Sequence, residues 1–193
     1  MYCICSGYNF YMRETTYSFA KNILSNKAII ELNKIISENL ISTGKDSEAS
    51  GAIKSSQVKF IKLGIIHKYI APFIDFCHTI NNNNFGFDLH TLTSHKILNF
   101  NSYNENEEYT WHIDATSKSP VSDVKLTCLL NLSDKEYKRG NLYLFKGEEI
   151  ECKEFNSPGT AVVFPSFTNH KVSKVISGER KTLAIWMTGP KFR

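Results

Sequence analysis

After residue 94 the chain consists of short β-type runs separated by turn sequences, and this pattern limits the folds open to it. Eight such runs follow one another at close spacing. We predict strands near 95–103, 109–114, 124–132, 140–146, 149–155, 160–164, 170–176 and 180–188. Many short strands after a helical segment predict a mainly β fold with flanking α-helices, either a sandwich or a jelly roll, with the N-terminal helices packed on one face.

The amino-terminal part of the chain carries helical periodicity. Apolar residues recur at helical spacing over 28–41, which predicts an amphipathic helix capped by Ser25 or Asn26. A second helix is predicted over about 65–80, where Pro72 calls for a kink or a later start.

Length and composition favour one ordinary globular domain. The chain has 193 residues, 41% of them hydrophobic, which is enough for a core without disulfides or metals. The polar segment 43–56 predicts an exposed loop. We therefore expect a single domain over 1–193, with 1–83 as helical support and 84–193 as a β-rich core, either a sandwich or a jelly roll.

Charge and cysteine content exclude several classes of protein. The net charge of +4 comes without a dense Lys/Arg run, so there is no clear nucleic-acid signal. Five cysteines, an odd number that includes Cys3 and Cys5, fit no disulfide framework. No run approaches the roughly 20 apolar residues of a membrane span, and no signal peptide is visible. We expect a cytoplasmic protein whose oligomeric state the sequence does not indicate.

A His-x-Asp pattern lies inside one predicted strand. Residues i and i+2 of a strand share a face, so His112 and Asp114 project together. His170, in a later β run, is the candidate third ligand. Two histidines and one carboxylate form the facial triad of non-heme Fe(II) sites, which leaves coordination positions open. Alone, the pattern also fits a surface histidine beside an ordinary strand aspartate.

Arg180 stands ten residues after His170, across a predicted hairpin with its turn at 177–179. The hairpin would direct both side chains into one cavity, and Thr182 would face the same way. A guanidinium suits a carboxylate, which it can hold by two parallel hydrogen bonds. The alternative is a surface arginine in a hairpin.

Three stretches resemble the iron(II)/2-oxoglutarate-dependent oxygenases of the prolyl 4-hydroxylase type, in particular small bacterial and phage members. The resemblance runs from about residue 84 to the end and rests on H-x-D, the distant His, Phe-Pro-Ser before it and Gly-x-Arg after it. The stretches are YNENEEYTWHIDA, DVKLTCLLNLSDKEYKRGNLYLF and GTAVVFPSFTNHKVSKVISGERKTLAIWMTGPKFR. The family's fold is a double-stranded β-helix, a jelly roll, in agreement with the strand pattern.

The resemblance implies roles for individual residues. His112, Asp114 and His170 resemble the iron ligands, and Arg180 resembles the residue that binds the distal carboxylate of 2-oxoglutarate. Tyr103 stands where the family commonly has a tyrosine lining the co-substrate pocket.

Other positions are less closely matched. Asn131 lies on a strand that lines this pocket in relatives, and it is expected to hydrogen-bond the co-substrate. Relatives often have Gly-Gly where this chain has Arg139 and Gly140. The large aromatic residues Tyr109, Trp111 and Trp186 are expected in the core.

The implied activity is that of an Fe(II)- and 2-oxoglutarate-dependent dioxygenase. It would hydroxylate an unactivated C–H bond of a peptidyl side chain, such as prolyl, or of a small amino-acid-like metabolite, and release succinate and CO2. Fe2+, 2-oxoglutarate and O2 are the expected cofactors, with ascorbate in addition. The loop 116–123 is the expected substrate lid. The alternatives are a non-catalytic jelly-roll module that binds a metal or ligand, and a zinc-dependent hydrolase.

Overall fold

The computed structural model describes residues 10–12, 16–44, 52–115 and 119–192. Cys3, Cys5 and residues 116–118 of the expected lid lie outside these ranges. The elements within them, in chain order, are β1 (Phe10–Met12), β2 (Ser18–Ala20), α1 (Asn26–Glu38), β3 (Ser42–Gly44), β4 (Gln57–Lys62), α2 (Leu63–Ile80), a π-helical turn (Asn81–Phe85), β5 (Ile97–Tyr103), β6 (Tyr109–His112), β7 (Ser122–Asn131), β8 (Lys138–Arg139), β9 (Leu142–Phe145), β10 (Glu149–Glu151), a 3-10 turn (Lys153–Asn156), β11 (Ala161–Pro165), β12 (Asn169–Val172), β13 (Val175–Ser177) and β14 (Arg180–Pro190).

Two antiparallel sheets face each other and form the jelly roll. The main sheet has the strand order β1-β2-β11-β7-β14-β5-β4-β3, and the smaller sheet has the order β10-β9-β12-β6. Strands β8 and β13 form a separate pair. The predicted jelly roll is confirmed, although the run predicted over 170–176 is divided into β12 and β13.

The amino-terminal part contributes strands in addition to the predicted helices. Strand β2 pairs with β11, and β4 pairs with β5, so both belong to the main sheet. Their apolar runs are short, and β4 continues directly into α2 at Leu63 without an intervening turn. The strand pattern is therefore hidden by the helical pattern that follows it.

The two α-helices start where local chemistry favours a helix. The Ser25 side chain caps α1 by accepting a hydrogen bond from the backbone N–H of Ala28 at 3.3 Å. Helix α2 begins at Leu63, two residues before the predicted start, and continues through Pro72. A later start is thus not the explanation for this proline. No helix in the described ranges is long and apolar enough to cross a membrane.

The main sheet separates two hydrophobic clusters. Strand β14 shows the division: Leu183, Ile185 and Met187 join the cluster that contains the buried residues of α1 and α2. Ala184, on the opposite face, joins the cluster between the two sheets. The second cluster surrounds the cavity that holds the candidate site.

Candidate metal centre

The three candidate ligands meet where β6 and β12 pair. His170 lies directly opposite His112 in the antiparallel register. Asp114 follows β6, and its backbone N–H donates to the carbonyl of Ser166 at 2.9 Å. The Nε2 atoms of His112 and His170 lie 3.7 Å and 3.4 Å from the two Asp114 carboxylate oxygens. One ligand atom from each residue lies within 4.8 Å of the others, a spacing at which the three could hold one metal ion.

Backbone carbonyls orient both imidazole rings. The Nδ1 of His112 lies 2.7 Å from the Thr110 carbonyl, and the Nδ1 of His170 lies 3.0 Å from the Thr168 carbonyl. A carbonyl oxygen can only accept a hydrogen bond, so each Nδ1 carries the proton. In a neutral imidazole of this tautomer, Nε2 carries the lone pair that a metal ion needs.

Neighbouring rings fix the histidines further. The Tyr109 ring stacks on His112 with 3.4 Å between ring centroids, and the edge of Phe164 meets His170 at 4.9 Å. These contacts restrict the rotation of both imidazoles, as the geometry of a preorganised metal site requires.

Thr127 orients the Asp114 carboxylate. This threonine is fully buried on β7, and its hydroxyl donates to Oδ2 of Asp114 at 2.7 Å. Burial would raise the pKa of Asp114, but the interactions with His170 and His112 and the hydrogen bond from Thr127 outweigh it and lower the pKa. The carboxylate is therefore ionised and available as a ligand near neutral pH.

Burial lowers the pKa of His112 from 6.5 to about 4, and the neighbouring His170 adds to this effect. A neutral imidazole at physiological pH is the form that binds metal ions. Two oriented imidazoles and one carboxylate are a donor set that suits a divalent first-row metal.

The metal centre lies in a cavity that also contains Arg180. About 430 Å3 of space between atoms, part of it open to solvent, lies within this cavity. Its walls comprise Lys54, Asn101, Tyr103, Tyr109, His112, Asp114, Leu129, Leu142, His170, Val172, Arg180, Thr182, Ala184 and Trp186.

Arg180 is the largest fully buried side chain of the described residues, with 1% of its surface exposed. Its guanidinium carbon lies 5.3 Å from the Tyr103 ring centroid and 5.4 Å from that of Phe155. Its Nη2 has no hydrogen-bond partner, and within the described part of the chain it makes no ion pair. A buried cation without a counter-ion is strongly unfavourable, so the cavity is suited to an anionic ligand.

Further polar atoms in the cavity lack partners. The Asn101 Oδ1 and the Thr182 Oγ1 are buried without hydrogen bonds, and the two residues lie opposite each other on β5 and β14. The Trp186 indole nitrogen is close enough to Asp114 to help lower its pKa, yet it makes no hydrogen bond of normal geometry. Such atoms are rare in folded proteins and indicate where a ligand completes the hydrogen bonding.

The structure places the sequence candidates in two groups. Tyr103, Arg180 and Thr182 line the cavity beside the metal centre. Asn131 does not line it, because its Nδ2 donates to the Phe155 carbonyl at 2.7 Å and its Oδ1 accepts from the Ser133 backbone at 2.9 Å. The sequence predicted a hydrogen bond from Asn131 to the co-substrate, but its polar atoms instead bond to the backbone of Phe155 and Ser133.

Sequence reasoning missed several cavity residues. Tyr109 and Trp186 were expected in the core, but both line the cavity. Trp186 could have been identified, since it lies six residues after Arg180 on one strand and even spacing preserves the face. Lys54 could not have been identified from its neighbourhood, because an isolated lysine in a polar segment carries no such signal.

Comparison with known proteins agrees with this arrangement. Residues 98–188 match the sequence model of the 2OG-Fe(II) oxygenase superfamily. Over 103 residues the chain is 40% identical to a PKHD-type hydroxylase of Shewanella frigidimarina. The aligned region covers 48% of this chain and 44% of the relative. The chain thus spans less than half the length of that curated relative.

Solved structures share the fold over nearly the whole described chain. A Pseudomonas putida prolyl-4-hydroxylase superposes with a TM-score of 0.69 at 20% identity and covers 92% of this chain and 95% of its own. The viral collagen prolyl hydroxylase of Paramecium Bursaria Chlorella virus-1, in its 2OG complex, gives 0.68 at 16% identity, with 91% and 97% covered. The chain is therefore similar to the 2OG-Fe(II) oxygenase superfamily over residues 98–188 and has the fold of the prolyl 4-hydroxylases.

Proposed function

We propose that this protein is an Fe(II)- and 2-oxoglutarate-dependent hydroxylase. The observation that carries the proposal is the position of Arg180, fully buried with an unpartnered Nη2, in the same cavity as His112, Asp114 and His170. A binding module or a zinc hydrolase would need the metal ligands alone. An anionic co-substrate beside the metal also accounts for the buried guanidinium.

The donor set fits iron. His112 and His170 would each offer Nε2, and Asp114 would offer a carboxylate oxygen, so that three protein ligands leave positions for a co-substrate and O2. When bound together, iron, 2-oxoglutarate and O2 supply the oxidative chemistry that converts a substrate C–H bond into C–OH, with release of succinate and CO2.

The cavity fits 2-oxoglutarate as well. The Arg180 guanidinium lies near the rings of Tyr103 and Phe155 and can bind a carboxylate by two parallel hydrogen bonds. The free Oγ1 of Thr182 would donate a further bond. These residues would orient the co-substrate so that its other end lies towards the metal ligands.

The remaining walls would keep water away from the reacting atoms. Leu129, Leu142, Val172 and Ala184 line the cavity with apolar side chains. Exclusion of water strengthens the electrostatic interactions of the site and limits side reactions. The primary substrate, a peptidyl side chain such as prolyl or an amino-acid-like metabolite, is part of this proposal, as is a cytoplasmic location.

The test is direct. Purified protein is incubated with Fe(II), 2-oxoglutarate, ascorbate and O2, and the formation of succinate is measured by mass spectrometry. We expect succinate in the wild-type protein, increased by a substrate that gains one oxygen atom, and none after Asp114→Ala. Absence of both 2-oxoglutarate binding and succinate in iron-loaded wild-type protein would contradict the proposal.

A further inference from the structure

Trp186 brings a hydrogen-bond donor to the metal centre. Its side chain lines the cavity, and its indole Nε1 is buried without a hydrogen-bond partner among the described residues. An indole N–H can only donate, and a buried tryptophan N–H usually finds an acceptor. The loaded state of the site should therefore supply one.

The sheet register places Trp186 against the Asp114 carboxylate. Trp186 on β14 lies directly opposite Thr127 on β7, and residues paired in this way project to the same side of a sheet. The Thr127 hydroxyl already donates to Oδ2 of Asp114 at 2.7 Å. Trp186 faces the same carboxylate and is close enough to interact with it electrostatically.

The Asp114 carboxylate has room for a second donor. Its side chain is only 11% exposed, and an ionised carboxylate offers about four lone-pair sites on its two oxygens. Among the described residues, the Thr127 hydroxyl is the one donor that bonds to it with normal geometry. The Nε2 atoms of His112 and His170 lie nearby, but in the neutral tautomer described above they have no hydrogen to donate. A lone pair therefore remains free even when one oxygen binds a metal ion.

We propose that Trp186 is a positioning residue of the metal centre, whose indole N–H donates to the Asp114 carboxylate when the metal ion binds. Thr127 and Trp186 would then hold the carboxylate from two neighbouring strands of the main sheet. This inference rests on the metal site of the function proposed above, and it adds a residue that fixes one of the ligands.

Nuclear magnetic resonance of the wild-type protein tests this inference in the absence of 2-oxoglutarate. Zn(II) is the probe, because it is diamagnetic and binds histidine and carboxylate ligands. The chain has two tryptophans, so two indole N–H signals are expected, and Trp111→Phe assigns them. Zn(II) should move the Trp186 signal downfield, as a new hydrogen bond does, and slow its exchange with solvent at least about tenfold. The Trp111 signal should not change.

Metal affinity gives a second measurement. Trp186→Phe should weaken Co(II) binding about tenfold, as expected for a residue that orients a metal ligand, and should change the visible absorption bands of the bound Co(II). Trp111→Phe is the matched control. Trp111 was expected in the core, but it lies half-buried on the opposite face of β6 from His112, against Phe145 and Lys171. This variant should bind Co(II) within about twofold of wild type.

Three results would overturn the inference. Zn(II) could leave the Trp186 signal unchanged, or Trp186→Phe could bind Co(II) with wild-type affinity and spectrum. A signal that moves only after 2-oxoglutarate is added would assign the N–H to the co-substrate instead. In each of these cases wild type still binds the metal, so only the role of Trp186 fails. If wild type binds no metal ion, the proposed function fails together with the inference.

Discussion

Gly140 lies directly against Arg180. A Cβ atom at position 140 would approach the Arg180 Cδ to 3.0 Å and the Val175 Cγ2 to 2.8 Å, and the φ angle of Gly140 is +72°. The position of the guanidinium therefore depends on the absence of a side chain at 140. Arg139 precedes it with a φ of +65°, so both residues of the turn adopt the left-handed conformation.

Gly140→Ala should weaken 2-oxoglutarate binding. The added methyl group must displace Arg180 or Val175, and the positive φ adds strain of about 1–2 kcal/mol. We expect the Kd for 2-oxoglutarate, measured by calorimetry, to rise about tenfold or more. The control is Gly147→Ala, where φ is +80° but no atom lies within 4 Å. It should lower stability without changing the Kd, and an equal effect of both substitutions would contradict the role of Gly140.

Arg139→Gly should raise stability. Glycine removes the steric penalty of a positive φ, about 1–2 kcal/mol, but increases the entropy of the unfolded chain by about 0.5–1 kcal/mol. We expect a net increase of about 0.5 kcal/mol in the free energy of unfolding, measured by urea denaturation. Arg139→Ala keeps the penalty and should bring no such gain. A loss of stability in Arg139→Gly would show that the exposed arginine makes contacts that outweigh the strain.

His112→Ala, Asp114→Ala and His170→Ala should each abolish high-affinity metal binding. Each residue provides one of three candidate ligands, so its removal should weaken Fe(II) or Co(II) binding at least about 100-fold. Anaerobic calorimetry measures this affinity, and circular dichroism monitors the fold. His67→Ala, on the exposed surface of α2, is the matched control and should bind metal like wild type. Normal affinity in any of the three variants would remove that residue from the site.

Substitutions at Arg180 and Thr182 should weaken the binding of 2-oxoglutarate in a fixed order. Arg180→Ala removes a hydrogen-bonded charge and should cost about 2–5 kcal/mol of binding. Arg180→Lys should have a smaller effect, because a point charge replaces a planar fork. Thr182→Val should lose about 1 kcal/mol, the worth of one neutral hydrogen bond. Titration of 2-oxoglutarate into anaerobic Fe(II)-loaded variants gives the three affinities, and unchanged affinity in Arg180→Ala would exclude the clamp.

Asn131→Ala should affect stability and leave the site intact. The substitution leaves the buried Phe155 carbonyl and the Ser133 N–H without the hydrogen bonds they make to Asn131. We expect the free energy of unfolding to fall by about 1–3 kcal/mol. The 2-oxoglutarate affinity of the folded protein should change less than about threefold. A large rise in the Kd for 2-oxoglutarate, with unchanged stability, would show that Asn131 binds the co-substrate after all.

Local spacing made part of the site predictable. The period of a strand puts His112 and Asp114 on one side, and the short hairpin after His170 brings Arg180 to the same cavity. These relations depend on residues close together in the sequence. A mainly β fold, a sandwich or a jelly roll, could be predicted because turn sequences separate its strands, and the family resemblance selected the jelly roll.

The rest of the site depends on long-range contacts. Lys54 reaches the cavity only because the backbone of Ile53 bonds to Thr110, more than fifty residues away. Asn131 shares its strand face with pocket residues, yet the nearby Phe155 carbonyl takes its amide. Such partners cannot be found by periodicity, since nothing in either local sequence specifies the other.

The alternation along β14 limits how this gene can change. Even-numbered residues from Arg180 to Trp186 line the cavity, and Leu183, Ile185 and Met187 pack towards the helices. Insertion or deletion of a single codon within the strand would exchange the two faces, bury the guanidinium among aliphatic side chains and expose those side chains in the cavity. Evolution can therefore vary this strand by substitution, whereas changes in length are confined to the loops at its two ends.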